Sequence, residues 1–78
     1  MPTVTVRFWA GAQRAAGTTE DTLDAASIGE LRSALAQRRE LAKVCAVATF
    51  LVDGDPASDT TVLNAGSVVD VLPPFAGG

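Results

Sequence analysis

At 78 residues, 47% hydrophobic and 19% charged, the chain is sized for one globular domain. Its core is modest, since a domain this small buries only about 60% of the surface it exposes when unfolded. With no histidine and a single cysteine, Cys45, it excludes an internal disulfide, a cysteine-based metal site and the commonest general base, so no metal site is expected. The net charge of −3 is unevenly spread: Arg7, Arg14, Arg32, Arg38, Arg39 and Lys43 all precede residue 44, and only Asp53, Asp55, Asp59 and Asp70 are charged after it. A wholly acidic second half predicts a basic protein surface as partner and argues against nucleic acid.

The segment 3–9, TVTVRFW, alternates, with Val4, Val6 and Phe8 on one face and Thr5, Arg7 and Trp9 on the other, which predicts a half-buried strand. AGAQRAAG (10–17) is alanine-rich and bounded by glycine, a short helix or helical turn. TTEDTLD (18–24) is polar and β-branched and reads as a second strand. Ser27-Ile28-Gly29-Glu30 then matches a capping box, in which the serine and glutamate side chains satisfy free amides of a first turn. Behind it Ile28, Leu31, Leu35 and Ala42 recur at helical spacing, predicting one amphipathic helix over 28–41.

VCAVATFLV (44–52) is a near-continuous apolar run and predicts a central strand, DGDP (53–56) a turn, and ASDTTVLNAG (57–66) an irregular loop anchored by Val62 and Leu63. SVVDVLP (67–73) predicts the last strand, which Pro73 and Pro74 end because proline offers no amide hydrogen. The order is that of an α+β fold, a mixed sheet with one main helix on one face. The expected arrangement is a β-grasp with the first and last strands central, a domain over 1–72 and a flexible Gly-Gly tail over 73–78. No stretch approaches the roughly 20 apolar residues of a membrane span, and no signal-peptide pattern opens the sequence, so a cytoplasmic protein without membrane partners is expected.

The sequence finishes in VLPPFAGG (71–78). With that element order and tail, the chain resembles the MoaD/ThiS-type ubiquitin-like sulfur carriers, closest to the small subunit of molybdopterin synthase. Phe8, Ala10, Arg14 and Gly17 match the pattern after the family's first strand, and the PP-x-x-GG ending is the most specific piece. One departure concerns the partner surface: where the family has Gly-Asp and a further acid before the last strand, this chain has Gly66-Ser67-Val68.

The resemblance implies that the Gly78 carboxylate is the reactive group, with Gly77 beside it. Ionised at neutral pH, with a reference pKa near 3.5, it is a poor electrophile until activated. An E1-like adenylating enzyme would use ATP to activate it, and a sulfur donor would convert it to a thiocarboxylate, a 1-thioglycine at Gly78. The large subunit of molybdopterin synthase would then pass that sulfur to a pterin precursor. No cofactor is expected to be bound by the chain itself, which is not an enzyme alone but the sulfur-donating subunit of a complex.

Glycine lets the backbone of 77 and 78 enter a narrow channel, and the two prolines lower the entropy cost of ordering the tail. From Leu72 to Gly78 an extended tail spans roughly 20 Å. Phe75 and Ala76 join Pro73 and Pro74 as expected partner contacts, while Phe75 folding back on its own domain stays open. Leu51, Val68 and Leu72, with Val47, are expected as an apolar docking patch on the sheet's far side, rimmed by Asp53, Asp55, Asp59 and Asp70. Trp9 covers that far side or its edge. Cys45 is read as a small buried hydrophobe rather than a sulfur acceptor.

Alternatives stand beside the leading function: a sulfur carrier for cysteine or thiamine, a protein modifier, and a β-grasp interaction module with a silent tail. Thiamine carriers are shorter between their first two strands than AGAQRAAG allows. Lys43, the only lysine, leaves a modifier few points at which to build chains on itself.

Overall fold

The computed structural model describes residues 1–74. The expectations for Phe75, Ala76, Gly77 and Gly78, and for the flexibility of the tail, lie outside the described residues. The elements are β1 (Thr3–Phe8), α1 (Gly11–Ala16), β2 (Glu20–Asp24), α2 (Ile28–Ala36), α3 (Arg39–Val47), β3 (Thr49–Val52), β4 (Asp55–Pro56) and β5 (Val68–Leu72). They form one mixed sheet in the order β2-β1-β5-β3-β4, with β1 and β5 parallel and the other pairs antiparallel. This is the expected β-grasp, with the first and last strands paired at its centre.

Alternation along β1 sends Val4, Val6 and Phe8 into the core, where they meet Val69 and Val71 of β5 and Phe50 of β3. Ile28, Leu31 and Leu35 of α2, Leu41 and Cys45 of α3, and Ala12 and Ala16 of α1 cover that face. The capping box forms largely as read. Ser27 Oγ accepts from the Glu30 amide at 3.2 Å, and Glu30 Oε1 accepts from the Ala26 amide at 3.3 Å, one residue before the cap. The loop after β4 completes the helix start, since the Ile28 and Gly29 amides donate to the Thr61 and Asp59 carbonyls. Gly29 eases this approach, since a Cβ there would sit 3.1 Å from the Asp59 carbonyl oxygen, a tight contact. Leu63 anchors this loop in the core, but Val62 does not, at 68% exposed.

Two expectations fail together. The helix drawn over 28–41 is two helices, and the strand drawn over 44–52 begins only at Thr49. The chain breaks at Gln37-Arg38, where Arg38 is extended (φ −91°, ψ 116°) and its Nη2 donates to the Ala16 carbonyl at the end of α1, 2.7 Å away. No glycine or proline marks the break, so a tertiary contact makes it. Beyond it Leu41 and Cys45 are buried four residues apart, as on a helix face. The continuous apolar run concealed that spacing, because an unbroken run has no period to read. Cys45 is buried as expected, but on a helix, and desolvation pushes its thiol pKa up while Arg32 partly opposes the shift.

The turn at 53–56 is a tight hairpin between β3 and β4. Asp53 and Gly54 both take positive φ (50° and 89°), as two-residue hairpin loops require. Asp53 also ties this hairpin to β5: its amide donates to the Val68 carbonyl at 2.8 Å, and its carboxylate accepts from the Val68 amide at 3.0 Å.

Arg32 links three elements. Its Nη1 donates to the Cys45 carbonyl at 2.7 Å, its Nε pairs with Asp59 at 3.0 Å, and its guanidinium lies 4.6 Å from the centre of the Phe50 ring. Arg32→Ala is expected to destabilise the domain by about 1–3 kcal/mol, read from urea unfolding midpoints at unchanged slope. Asp59→Asn, which removes only the half-exposed ion pair, should cost under about 1 kcal/mol.

Candidate functional site

β5 delivers the chain to the tail, so its two faces define the site. Val69 and Val71 point into the core, and Val68, Asp70 and Leu72 therefore lie on the face that the helices leave open. Leu51 stands opposite Asp70 on the neighbouring strand, and Thr49 opposite Leu72. The structure thus places Leu51, Val68 and Leu72 on one open face, each half-buried. The fourth expected member, Val47, is not there. It ends α3 and is 63% exposed elsewhere.

In the middle of that face lies a polar cluster that was not read from the sequence. Arg7 of β1 faces Asp70 across the parallel pair and grips it with both ends, Nε to Oδ1 at 2.7 Å and Nη2 to Oδ2 at 3.1 Å. The indole Nε1 of Trp9 donates to the same Oδ1 at 3.0 Å, and the Arg7 guanidinium lies 5.7 Å from the Trp9 ring centre. Trp9 is thus on the far side of the sheet, one of the two placements left open. Asp70 is only 6% exposed, so it is the centre of the face and not its acidic rim. The available signals were a lone charge in an apolar strand, SVVDVLP, and an arginine facing outward on TVTVRFW.

The Arg7 hydrogen bond is the main reason the Asp70 carboxyl sits below its ordinary pKa. Burial opposes the shift, and the Trp9 hydrogen bond adds to it. Arg7 is in turn held still more firmly charged, chiefly by its hydrogen bond to Asp70.

The second feature is a groove of about 480 Å³ at the root of the tail. Trp9, Val44, Val47, Leu72, Pro73 and Pro74 give it a mostly apolar lining, and Arg14 and Lys43 are its charged residues. β5 ends at Leu72, as the two prolines require, with Pro73 half-buried and Pro74 exposed. Ala10, also on the groove, holds φ 50° and ψ −124°, a conformation that L-residues rarely adopt. That bend turns the chain from β1 into α1, where the Ala10 carbonyl accepts from the Gln13 and Arg14 amides.

Folding pairs two aspartates of the acidic second half with arginines of the first and leaves Asp53 and Asp55 exposed. Asp70 pairs with Arg7, Asp59 with Arg32, and Asp53 accepts a backbone amide, so three of its four aspartates are engaged within the chain. The root of the tail is flanked by cations instead.

With this geometry, the ThiS family model matches residues 6–78. The fold is that of molybdopterin converting factor subunit 1 from Helicobacter pylori, solved in complex with subunit 2 (26% identity, 97% of this chain and 99% of that chain, TM-score 0.78). It is equally that of the small archaeal modifier protein 1 from Methanosarcina acetivorans (25% identity, 100% and 98%, TM-score 0.85). A Pyrococcus furiosus protein described as molybdopterin converting factor subunit 1 is similar to the same degree (25% identity, 96% and 100%, TM-score 0.83). No curated protein matches the chain by sequence. Among the described residues, no helix is long and apolar enough to cross a membrane.

Because the folded-state pKa of Asp70 is depressed, its contribution to stability is complete above the unfolded value near 3.9 and is lost as pH falls through the folded value. Asp70→Asn should flatten that acid limb of stability against pH and leave the profile above pH 5 parallel to the parent. Urea midpoints between pH 2 and 7 measure it.

Proposed function

The chain belongs to the ThiS family, and from that premise we propose that it carries sulfur as the small subunit of a molybdopterin-synthase-like complex. The observation that supports this most is the family match running through the tail, on a fold in which that tail leaves the central strand β5 directly through Pro73 and Pro74. The reactive atom is proposed to be the terminal carbonyl carbon of Gly78. An E1-like enzyme adenylates the carboxylate with ATP, sulfur from a donor protein displaces AMP, and the resulting thiocarboxylate is the nucleophile given to a pterin precursor in the large subunit. The buried Cys45, its thiol held protonated, is unsuited to take part.

The proposed contact with the large subunit is the open sheet face around Leu51, Val68 and Leu72, continuing into Pro73, Pro74, Phe75 and Ala76. A rigid face beside a narrow tail would let docking fix the register while Gly77 and Gly78 enter the partner's site. The Helicobacter pylori relative, solved in complex with subunit 2, supports a large-subunit partner.

Intact mass of the protein, incubated with ATP, an adenylating enzyme and a sulfur donor, should rise by the difference between sulfur and oxygen, localised to Gly78. One residue appended after Gly78 should abolish that gain. A terminus that stays unmodified with all three supplied would rule the carrier reading out. Leu51→Asp should weaken capture of the large subunit at least tenfold, about 1.4 kcal/mol, without lowering the yield of Gly78 sulfuration.

The similarity to the archaeal modifier favours a second reading, in which the activated Gly78 carboxyl ends in an amide on a target lysine. A conjugate that resists thiol reagents and yields a Gly-Gly remnant on lysine after digestion would mark it.

A further inference from the structure

Arg7, Asp70 and Trp9 share the open face of the sheet with the apolar Leu51, Val68 and Leu72. The cluster spends its acceptors inwardly. Asp70 Oδ1 accepts from Arg7 Nε and Trp9 Nε1, Oδ2 accepts from Arg7 Nη2, and the Asp70 side chain is only 9% exposed. The indole N–H is committed to the same carboxylate, so what Trp9 shows a partner is its ring. Arg7 differs. Its side chain is 46% exposed, and among the described residues no acceptor takes the N–H groups of Nη1 or the second one of Nη2.

This guanidinium is fixed in place by a bidentate carboxylate on one side and by the Trp9 ring, 5.7 Å from its carbon, on the other. Little side-chain entropy is left for it to lose on binding. Covering it with a purely apolar surface would bury charged donors without acceptors, which is costly. Its charge is already answered within the chain, since Asp70 grips it and Glu20 faces it across the β1–β2 pair. A further carboxylate would meet two of its own sign. An amide oxygen would not.

We propose that Arg7 is a specificity-determining contact, whose remaining N–H groups bind amide oxygens of the protein that docks on this face. That partner carries main-chain or side-chain carbonyls set within an apolar surface that covers Leu51, Val68, Leu72 and the Trp9 ring. The inference rests on the reading that this face docks the large subunit, and it adds what the large subunit must offer there. A partner surface that is apolar throughout is rejected, because it would leave the guanidinium buried and unsatisfied. Asp70 is the positioning residue, aiming Arg7 outward while it holds the strand register behind.

Affinity of the full chain for the large subunit, measured by titration calorimetry, tests this. The Arg7→Val, Asp70→Val double variant leaves the net charge unchanged and places two strand-favouring side chains on the paired strands. The amide signals of Val69 and Val71 report whether the register is kept. This variant should bind about tenfold or more weakly, because the partner's oxygens are then buried without donors. Arg7→Lys, which keeps the charge and loses the fork, should fall between. The loss should be nearly the same at low and high salt, as uncharged acceptors require. In the complex with the parent chain, the Arg7 guanidinium nitrogen signals should shift and exchange more slowly, which a role confined to the domain's own stability would not produce. If the double variant does not fold, Arg7→Lys and these signals decide.

A parent chain that does not bind the large subunit would overturn the docking reading, and this inference with it. A parent that binds no more tightly than its folded variants, or guanidinium signals unmoved in the complex, would overturn the inference alone. A loss that shrinks steeply with salt would do the same, since the acceptor would then be a carboxylate.

Discussion

The parallel pairing of β1 with β5 is the constraint on which the rest depends. It joins Thr5 to Val68 and Phe8 to Val71 across almost the whole sequence. Loop closure over that separation costs only logarithmically more than over a short loop, and the return is a layer of fully buried side chains, Val6, Phe8, Val69 and Val71. Helical core contacts would tolerate small shifts, but the sheet does not. A slip of one residue would turn Asp70 into the core and Val69 out of it. The bidentate Arg7 contact and the Trp9 indole hold Asp70 on the open side, so the polar cluster acts as a register lock for the apolar layer behind it.

The charge pattern has the same logic. All basic residues lie in the first half of the chain, mixed with five acidic ones, and the second half carries only aspartates. Folding brings the halves together, and Arg7–Asp70 and Arg32–Asp59 become bridges between distant segments. Each stitches an early element to a late one: β1 to β5, and α2 to the loop after β4. Arg7 and Arg32 thus take their carboxylate partners from the far half, whereas Arg38 pairs with Asp21 of the near one. Among the described residues, the charged side chains on the groove at the root of the tail, Arg14 and Lys43, are cationic.

Alternation made β1 and β5 legible, and the serine cap made the start of α2 legible, because both signals are local. The hairpin at Asp53-Gly54 was legible as a turn for the same reason. The break at Gln37-Arg38 was not, since its cause is the Ala16 carbonyl, twenty-two residues away. Val44 to Val47 read as strand because an apolar run satisfies either period, and only the burial of Leu41 with Cys45 distinguishes them. Of the expected docking patch, Leu51, Val68 and Leu72 followed from the pleat, whereas Val47 was lost with the strand assignment. Asp70 was visible but misplaced, because its neighbour Arg7 is set by strand register, which single-sequence patterns do not encode.

These two hidden features, the helix break and the register, are also what build the root of the tail. A single helix over 28–41 followed by a strand from 44 would have put Val44 and Val47 into the sheet. Instead α3 turns and brings Lys43, Val44 and Val47 beside the end of β5, while the bend at Ala10 brings Arg14 to the same place. Non-glycine residues hold such a bend only where the surroundings enforce it, at a cost of about 1–3 kcal/mol. Here they do, since Trp9 is tied to Asp70 on one side and the α1 amides are tied to Ala10 on the other. The Ala10 bend thus lies where the tail departs, and its strain is sustained by the same Asp70 contacts that hold the central strands in register.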